Sequence, residues 1–234
     1  MNPDPGAAAE PYAVLAAAAA RWDRIEPRLE PPLRARLAAL LGVVRDREDT
    51  AGARDRAAAD AAGLLRARLP EEFGPGGERL VATAVEAHPG AADFAALLTV
   101  EGFSAEDFGV LLTDGHRMVG PVLGPVRDRL LAQSAVDAAA VAARGGDPYR
   151  PELIRLPAAG GRLRLPRFQF TAGLRPLPPV LEVNALLAAG RDPWGAADWW
   201  LSANAWLGAR PVDLLGTHRE RQLADAAGFL REDD

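Results

Sequence analysis

The chain contains no cysteine and no lysine among its 234 residues, and it has only three histidines. The absence of cysteine excludes disulfides, iron–sulfur clusters, thiolate zinc sites and cysteine nucleophiles. The absence of lysine excludes the usual Walker A phosphate loop, the nucleotide-binding lysine of kinases and Schiff-base catalysis. Because so much enzyme chemistry is excluded, the sequence predicts a protein that is not an enzyme and uses no cofactor or metal.

Long apolar runs are also missing. The longest alanine-rich stretch, residues 13–20, is shorter and less hydrophobic than the ~20 apolar residues of a membrane helix. Residues 1–6 carry an acid and prolines where a secretion signal would carry positive charge. We therefore expect no membrane partner and a cytoplasmic protein.

The composition is that of a globular protein, with 49% hydrophobic and 25% charged residues. The residue pattern predicts a mainly α fold in which a basic β-hairpin, with the pattern of a degenerate winged element, joins two helical domains. Because proline and glycine cluster at residues 144–148, the domains are expected at 10–146, 147–175 and 176–234. The first domain has no assigned role.

Apolar spacing and capping signals place the N-terminal helices. One helix is expected after Pro31-Pro32, a charged one before Pro70, and two more over 78–87 and 91–100. Ser104, with Asp107 three residues later, has the pattern of a capping box. An alanine-rich helix should then extend to about residue 143.

The C-terminal part begins with alternating apolar and arginine residues between 153 and 165, which predict a short hairpin. Helices are expected over 180–189 and from Pro193. Thr217 with Glu220 predicts a second capping box, which would open the last helix.

Four of the five tryptophans lie between residues 192 and 215. Trp199 and Trp200 are adjacent, so their side chains point about 100° apart on a helix and only one can face the centre of a narrow core. The other must lie at the margin or against a second protein, where tryptophan is common. The alternative is that all four simply fill a small core.

The same stretch contains Trp200-Leu201, Asn204, Leu207-Gly208 and then Pro211-Val212-Asp213-Leu214-Leu215. In order and spacing it resembles the toxin-binding domain of Xre/MbcA/ParS-type antitoxins, and Phe168-Gln169-Phe170 is similar to a segment found before that domain. The resemblance covers roughly residues 166–230. It implies a helical surface and tail that bind a toxin of the RES fold, which consumes NAD.

Two sets of residues follow from this stretch. We expect partner contacts from Trp194, Trp199, Trp200, Asn204, Trp206, Leu207 and Arg210. Structural roles are expected for Gly208 in a tight turn, Pro211 at the start of a short helix, Asp213 as an acceptor for backbone donors, and Leu214 and Leu215 packed inwards.

A basic segment interrupts a chain whose net charge is −5. Between residues 150 and 175 six arginines accompany the single acid Glu152; they are Arg150, Arg155, Arg162, Arg164, Arg167 and Arg175. The first five are the predicted DNA contacts, since a hairpin of this kind could be the wing of a degenerate helix-turn-helix that grips phosphates. The alternative is a solvated hairpin without a ligand.

Two hypotheses of function result. In the first, the chain is a non-enzymatic antitoxin that neutralises a RES-type toxin, contacts DNA for autoregulation and uses its N-terminal helices for assembly, for example as a homo-oligomer. In the second, the chain is a structural adaptor that uses the same domain to dock proteins unrelated to toxin control.

Overall fold

The computed structural model describes residues 5–46, 48–73 and 98–232. The chain divides by its contacts into two compact units, Met1–Pro125 and Val126–Asp234. The division therefore lies before the expected boundary at residues 144–148. Over the described ranges, none of the helices has both the length and the apolar character required to cross a membrane.

The first unit is built around α1 (Pro5–Ala20). The side chains of residues 12–19 are all buried, and most are alanines, so neighbouring elements can approach the helix closely. The Tyr12 hydroxyl donates a hydrogen bond of 2.9 Å to Asp55 Oδ1 and thereby ties α1 to the helix that contains Asp55. A short helix, α2 (Trp22–Ile25), follows.

The next helices agree with the sequence-based expectation. The helix predicted after the double proline is α3 (Pro31–Arg45), with Leu37 and Leu41 fully buried. The charged stretch forms α4 (Ala51–Arg68), whose N-terminus is capped by Thr50, and the short α5 (Pro70–Phe73) follows. The predicted helix 78–87 lies outside the described residues.

The prediction that a helix continues to residue 100 is wrong. Thr99–Val100 is a strand, β1, which pairs antiparallel with β2 (Phe103–Ser104) through a turn at Glu101 and Gly102. Both turn residues have positive φ, which a continuous helix excludes. The rest of that prediction lies outside the described residues.

The predicted capping box at Ser104 is confirmed. Asp107 N–H donates to Ser104 Oγ, and Ser104 N–H donates to the Asp107 carboxylate at 2.9 Å. The box opens α6 (Ala105–Gly109), which continues into a turn of π-helix, Val110–Asp114, and ends at left-handed Gly115. Phe108 is fully buried.

A buried ion pair joins α3 to this π-turn. Arg45 donates to both carboxylate oxygens of Asp114, at 2.9 and 2.7 Å, and its Nε donates to Glu106 at 3.0 Å. The side chains of Arg45 and Asp114 are only 6% and 5% exposed. Burial by itself would raise the pKa of Asp114, but the hydrogen bond and positive charge of Arg45 lower that pKa below its usual value.

The second unit contains a three-stranded antiparallel sheet in the order β3-β5-β4. Helix α7 (Gly120–Leu131), within which the division between the units falls, leads to β3 (Ala135–Asp137) and to the short α8 (Ala138–Ala142). The predicted hairpin is β4 (Leu156–Ala158) with β5 (Arg162–Pro166). Since β3 also pairs with β5, the hairpin belongs to a larger sheet that begins before residue 147.

Three helices complete this unit. They are α9 (Pro178–Leu186), α10 (Pro193–Leu201) and α11 (Gln222–Glu232). Asp192 caps α10 by accepting a 2.8 Å hydrogen bond from Gly195 N–H. The mainly helical fold with a short hairpin is confirmed.

The predicted capping box at Thr217 is wrong. The Thr217 hydroxyl donates to Leu214 O at 2.7 Å, and the Glu220 carboxylate accepts from Gly216 N–H at 2.6 Å. Both side chains therefore close the preceding turn, and α11 begins only at Gln222.

Candidate functional site

The tryptophan-rich helix α10 contributes mainly to the core. Trp200 is fully buried, and Trp194 and Leu201 are also buried. The Trp200 ring packs against Phe168, with ring centroids 5.3 Å apart. Trp194 and Trp200, both expected to contact a partner, thus fill the interior of this unit.

Trp200 ends a buried chain of amide hydrogen bonds. Its indole N–H donates to Asn184 Oδ1 at 2.7 Å, and Asn184 Nδ2 donates to Gln169 Oε1 at 3.1 Å. Gln169 in turn accepts from Ile154 N–H at 2.8 Å and donates to Ile154 O at 3.0 Å. Because Gln169 and Asn184 are fully buried, each unmade bond would carry a desolvation cost.

The sequence-based predictions assigned no hydrogen-bonding role to Gln169 or Asn184. A signal was present, since Gln169 lies between Phe168 and Phe170, and Asn184 lies next to apolar Val183 on α9. A polar residue on a buried face requires a partner. The spacing alone does not say which residue that partner is.

Trp199 lies at the margin of the core, as the adjacency of the two tryptophans predicts. It is half-buried and packs edge-on against Trp200, with centroids 5.3 Å apart. Within the described parts of the chain, its buried indole nitrogen has no hydrogen-bond partner. Trp199 therefore offers little accessible surface to another protein.

Asn204 organises the loop that follows α10. Its Oδ1 accepts hydrogen bonds from the N–H groups of Trp206 and Leu207, both at 3.0 Å. Its backbone N–H donates to Ala209 O, and its carbonyl accepts from Gly208 N–H. Gly208 has a φ of +63°, a conformation that glycine adopts without strain. Asn204 and Gly208 thus have structural roles.

This loop orients its side chains in opposite directions. Leu207 is buried, whereas Trp206 is 60% exposed. Trp206 packs edge-on against Phe229 of α11, with centroids 5.3 Å apart and an interplanar angle of 73°. Phe229 is itself 58% exposed. The two rings form one exposed apolar area, which we term the Trp206–Phe229 surface.

Phe229 was not among the predicted site residues. The apolar positions 223, 226, 227 and 230 of α11 follow helical spacing, and Leu223, Ala226 and Ala227 are buried. Phe229 lies off that stripe. This offset was the available signal, but which side chain it meets depends on the tertiary packing.

Arg210 and Asp213 bind each other. Two hydrogen bonds of 2.8 Å join the guanidinium to the carboxylate, and these bonds lower the pKa of Asp213 and raise the pKa of Arg210. The expected bond from Asp213 to backbone donors is replaced by this pair. Pro211 begins a short 3-10 helix, Pro211–Leu214, in which Leu214 is buried, and Leu215 is half-buried.

Three of the predicted DNA-binding arginines are half-buried and donate to carbonyls of the same unit. Arg155 donates to Arg150 O at 2.9 Å, Arg164 to Gln133 O at 3.1 Å, and Arg167 to Phe170 O at 2.7 Å. These contacts hold the hairpin in place. They compete with any contact to phosphate.

Arg150 and Arg162 are exposed, and Arg162 Nε donates to the carbonyl of Ala159 at 3.3 Å. Arg150 Nε lies 3.4 Å from Glu152 Oε2 in an exposed pair, and such pairs contribute little. Residues 143–155, which follow α8, form turns without a helix. This segment therefore presents no recognition helix of the kind that enters a DNA major groove.

In the part of the chain that the structure describes, no group of three histidine, aspartate or glutamate residues could hold a metal ion. The exposed aromatic pair is the feature of this unit best suited to contact another molecule. Comparisons with protein-family models, with curated proteins and with solved structures found no match to this chain.

Proposed function

We propose that this chain is a non-enzymatic protein of the antitoxin type that binds a NAD-consuming toxin of the RES fold through the Trp206–Phe229 surface. The observation that carries the proposal is the exposure of two large rings that pack on each other. The proposal includes no DNA contact, because four of the five expected arginines already donate to carbonyls.

Exposed aromatic rings favour a protein partner for a physical reason. Burying apolar surface stabilises a complex by roughly 25 cal/mol per Å². Tryptophan at the centre of such a surface commonly contributes 2 kcal/mol or more to binding. The edge-on packing on Phe229 also limits the motion of Trp206 before binding, so less side-chain entropy is lost on association.

The resemblance to the Xre/MbcA/ParS-type domain supports the choice of partner. Its motif residues Asn204, Leu207 and Gly208 build the loop that carries Trp206. Two further members of the motif, Trp200 and Leu214, are buried in the interior of the same unit. The motif residues thus form the loop that exposes Trp206, and the Trp206 ring is the proposed contact with the toxin.

The test uses a RES-type toxin encoded beside this chain. The toxin is co-expressed with the full-length chain, and we expect restored growth, a preserved NAD level and a complex recovered through a tag on the toxin. Trp206→Ala should weaken the binding free energy of the isolated complex by about 2 kcal/mol or more, which is a roughly 30-fold increase in the dissociation constant. Titration calorimetry measures this change.

Tyr149→Ala is the matched control, because Tyr149 is an equally exposed aromatic residue of the same unit. It should bind the toxin as the native chain does. A complex whose affinity is unchanged by Trp206→Ala would place the contact elsewhere. If the toxin is neither bound nor neutralised, the structural-adaptor hypothesis becomes the better one.

A further inference from the structure

The segment between α8 and β4 forms a loop with a fixed shape. Gly145 closes α8 in the left-handed conformation, with φ of +76°, and Gly146 N–H donates to Val141 O at 3.1 Å. Further along, the Asp147 side chain accepts from Tyr149 N–H at 2.9 Å. Such a turn fixes the direction of the residue that follows it.

The far end of this loop is anchored in the core. Leu153 and Ile154 are fully buried, and both backbone polar groups of Ile154 bond to the Gln169 amide. The carbonyl of Glu152 accepts from Asn184 Nδ2 at 2.7 Å. The loop is thus held at both ends, and its shape does not depend on a ligand.

The middle of the loop projects an aromatic ring into solvent. Tyr149 is 63% exposed, whereas the adjacent Pro148 is buried. An exposed ring on a turn with a fixed backbone shape can stack on another planar group.

Tyr149 lies in a basic segment of the sequence, since residues 144–175 contain seven arginines and two acids, Asp147 and Glu152. Arg144 and Arg150 are exposed, and the Arg155 guanidinium donates to the carbonyl of Arg150 at 2.9 Å. Of the two nearby acids, Asp147 already accepts the hydrogen bond of the turn. The exposed pair of Arg150 with Glu152 contributes little, so Arg150 can exchange that partner for a phosphate.

We propose that this loop binds single-stranded nucleic acid, with one base stacked on Tyr149 and the adjoining phosphates paired with Arg144 and Arg150. Stacked aromatic residues combined with arginines are the usual chemistry of single-strand binding. A duplex fits less well, because its bases already stack on each other and this loop contains no helix to enter a groove. The site shares no residue with the Trp206–Phe229 surface.

The test measures fluorescence anisotropy of a labelled oligothymidylate, an oligouridylate and a duplex of equal length, with the full-length chain at low salt. Both single strands should bind, and more tightly than the duplex. Tyr149→Ala should weaken single-strand binding about 5- to 100-fold, the effect of losing one stacked base. Tyr149→Phe keeps the ring and should bind as the native chain does.

The arginines are tested through the salt dependence. Arg144→Gln and Arg150→Gln should each flatten the slope of log affinity against log salt by roughly 0.7, the value for one phosphate of a single strand. Trp206→Ala should leave this binding unchanged, so the result does not depend on toxin binding. The proposal is overturned if no single strand binds, if the duplex binds as tightly, or if Tyr149→Ala has no effect.

Discussion

The two units differ in the side chains that surround their central elements. In the first, α1 contributes a run of buried alanines, which pack among larger side chains such as Leu37 and Phe108, and a buried ion pair joins Arg45 to Asp114. In the second, the interior is built around Trp200 and the neutral amides of Asn184 and Gln169. Small side chains let helices approach closely, whereas a large ring must be positioned and its polar atom satisfied.

This difference predicts that α1 and the surroundings of Trp200 are sensitive to opposite changes. The surroundings of Trp200 are sensitive to truncation, because the cavity left by a large ring is large. The buried alanines of α1 have little to lose by truncation and are sensitive to enlargement. Three substitutions, taken from the largest expected effect to the smallest, test the contrast.

Trp200→Ala should lower the free energy of unfolding of the second unit by about 3 to 5 kcal/mol, from the cavity and the loss of the bond to Asn184. Chemical denaturation of the full chain, followed by circular dichroism, measures the change. The matched control is Trp206→Ala, whose exposed ring should contribute less than about 1 kcal/mol to folding. Equal effects of the two variants would contradict the assignment of core and surface.

Asp114→Asn should lower the free energy of unfolding of the first unit by about 2 to 3 kcal/mol at neutral pH, because it leaves the buried Arg45 guanidinium with only the more exposed Glu106 as a counter-charge. Since the folded-state pKa of Asp114 is lowered, its contribution is complete above the unfolded value of 3.8 and is lost as the pH falls through the folded value.

Denaturation at a series of pH values checks this prediction. The native chain should lose stability on acidification below pH 3.8, and Asp114→Asn should show a smaller loss over the same range. Asp23→Asn is a suitable control, because its pair with Arg117 is exposed. If Asp114→Asn lost as much stability on acidification as the native chain, the ion pair would not contribute to the stability of the first unit.

Ala16→Leu should lower the free energy of unfolding by about 1 to 2 kcal/mol, because Ala16 is fully buried and the larger side chain has no space beside α1. The same method measures it, and the control is Ala142→Leu, an exposed position at the end of α8. A neutral or stabilising effect of Ala16→Leu would mean that the side chains around Ala16 on α1 are loosely packed.

The local elements could be predicted where the signal is local. Pro31 and Leu37 placed α3, and Ser104 with Asp107 placed the start of α6, because caps and apolar spacing act within a few residues. The adjacency of Trp199 and Trp200 also predicted that only one would occupy the core centre.

Long-range partners could not be read in the same way. Asp213 was expected to accept from backbone donors, yet it pairs with Arg210. Trp206 packs against Phe229, and the two residues are too far apart in the sequence for a local spacing pattern to predict this contact. The candidate surface was therefore identified in part, with Trp206 recognised and Phe229 missed.

The amide chain from Ile154 to Trp200 has a consequence for folding as a process. Gln169, Asn184 and the Trp200 indole lie in three separate segments, and each is satisfied only when the others are in place. An intermediate with one segment detached would leave several polar groups shielded from water and without hydrogen bonds. The desolvation free energy of these groups would be comparable to the stabilisation that the complete set of hydrogen bonds provides. Partial assembly is thereby penalised, which favours an all-or-none transition for this unit.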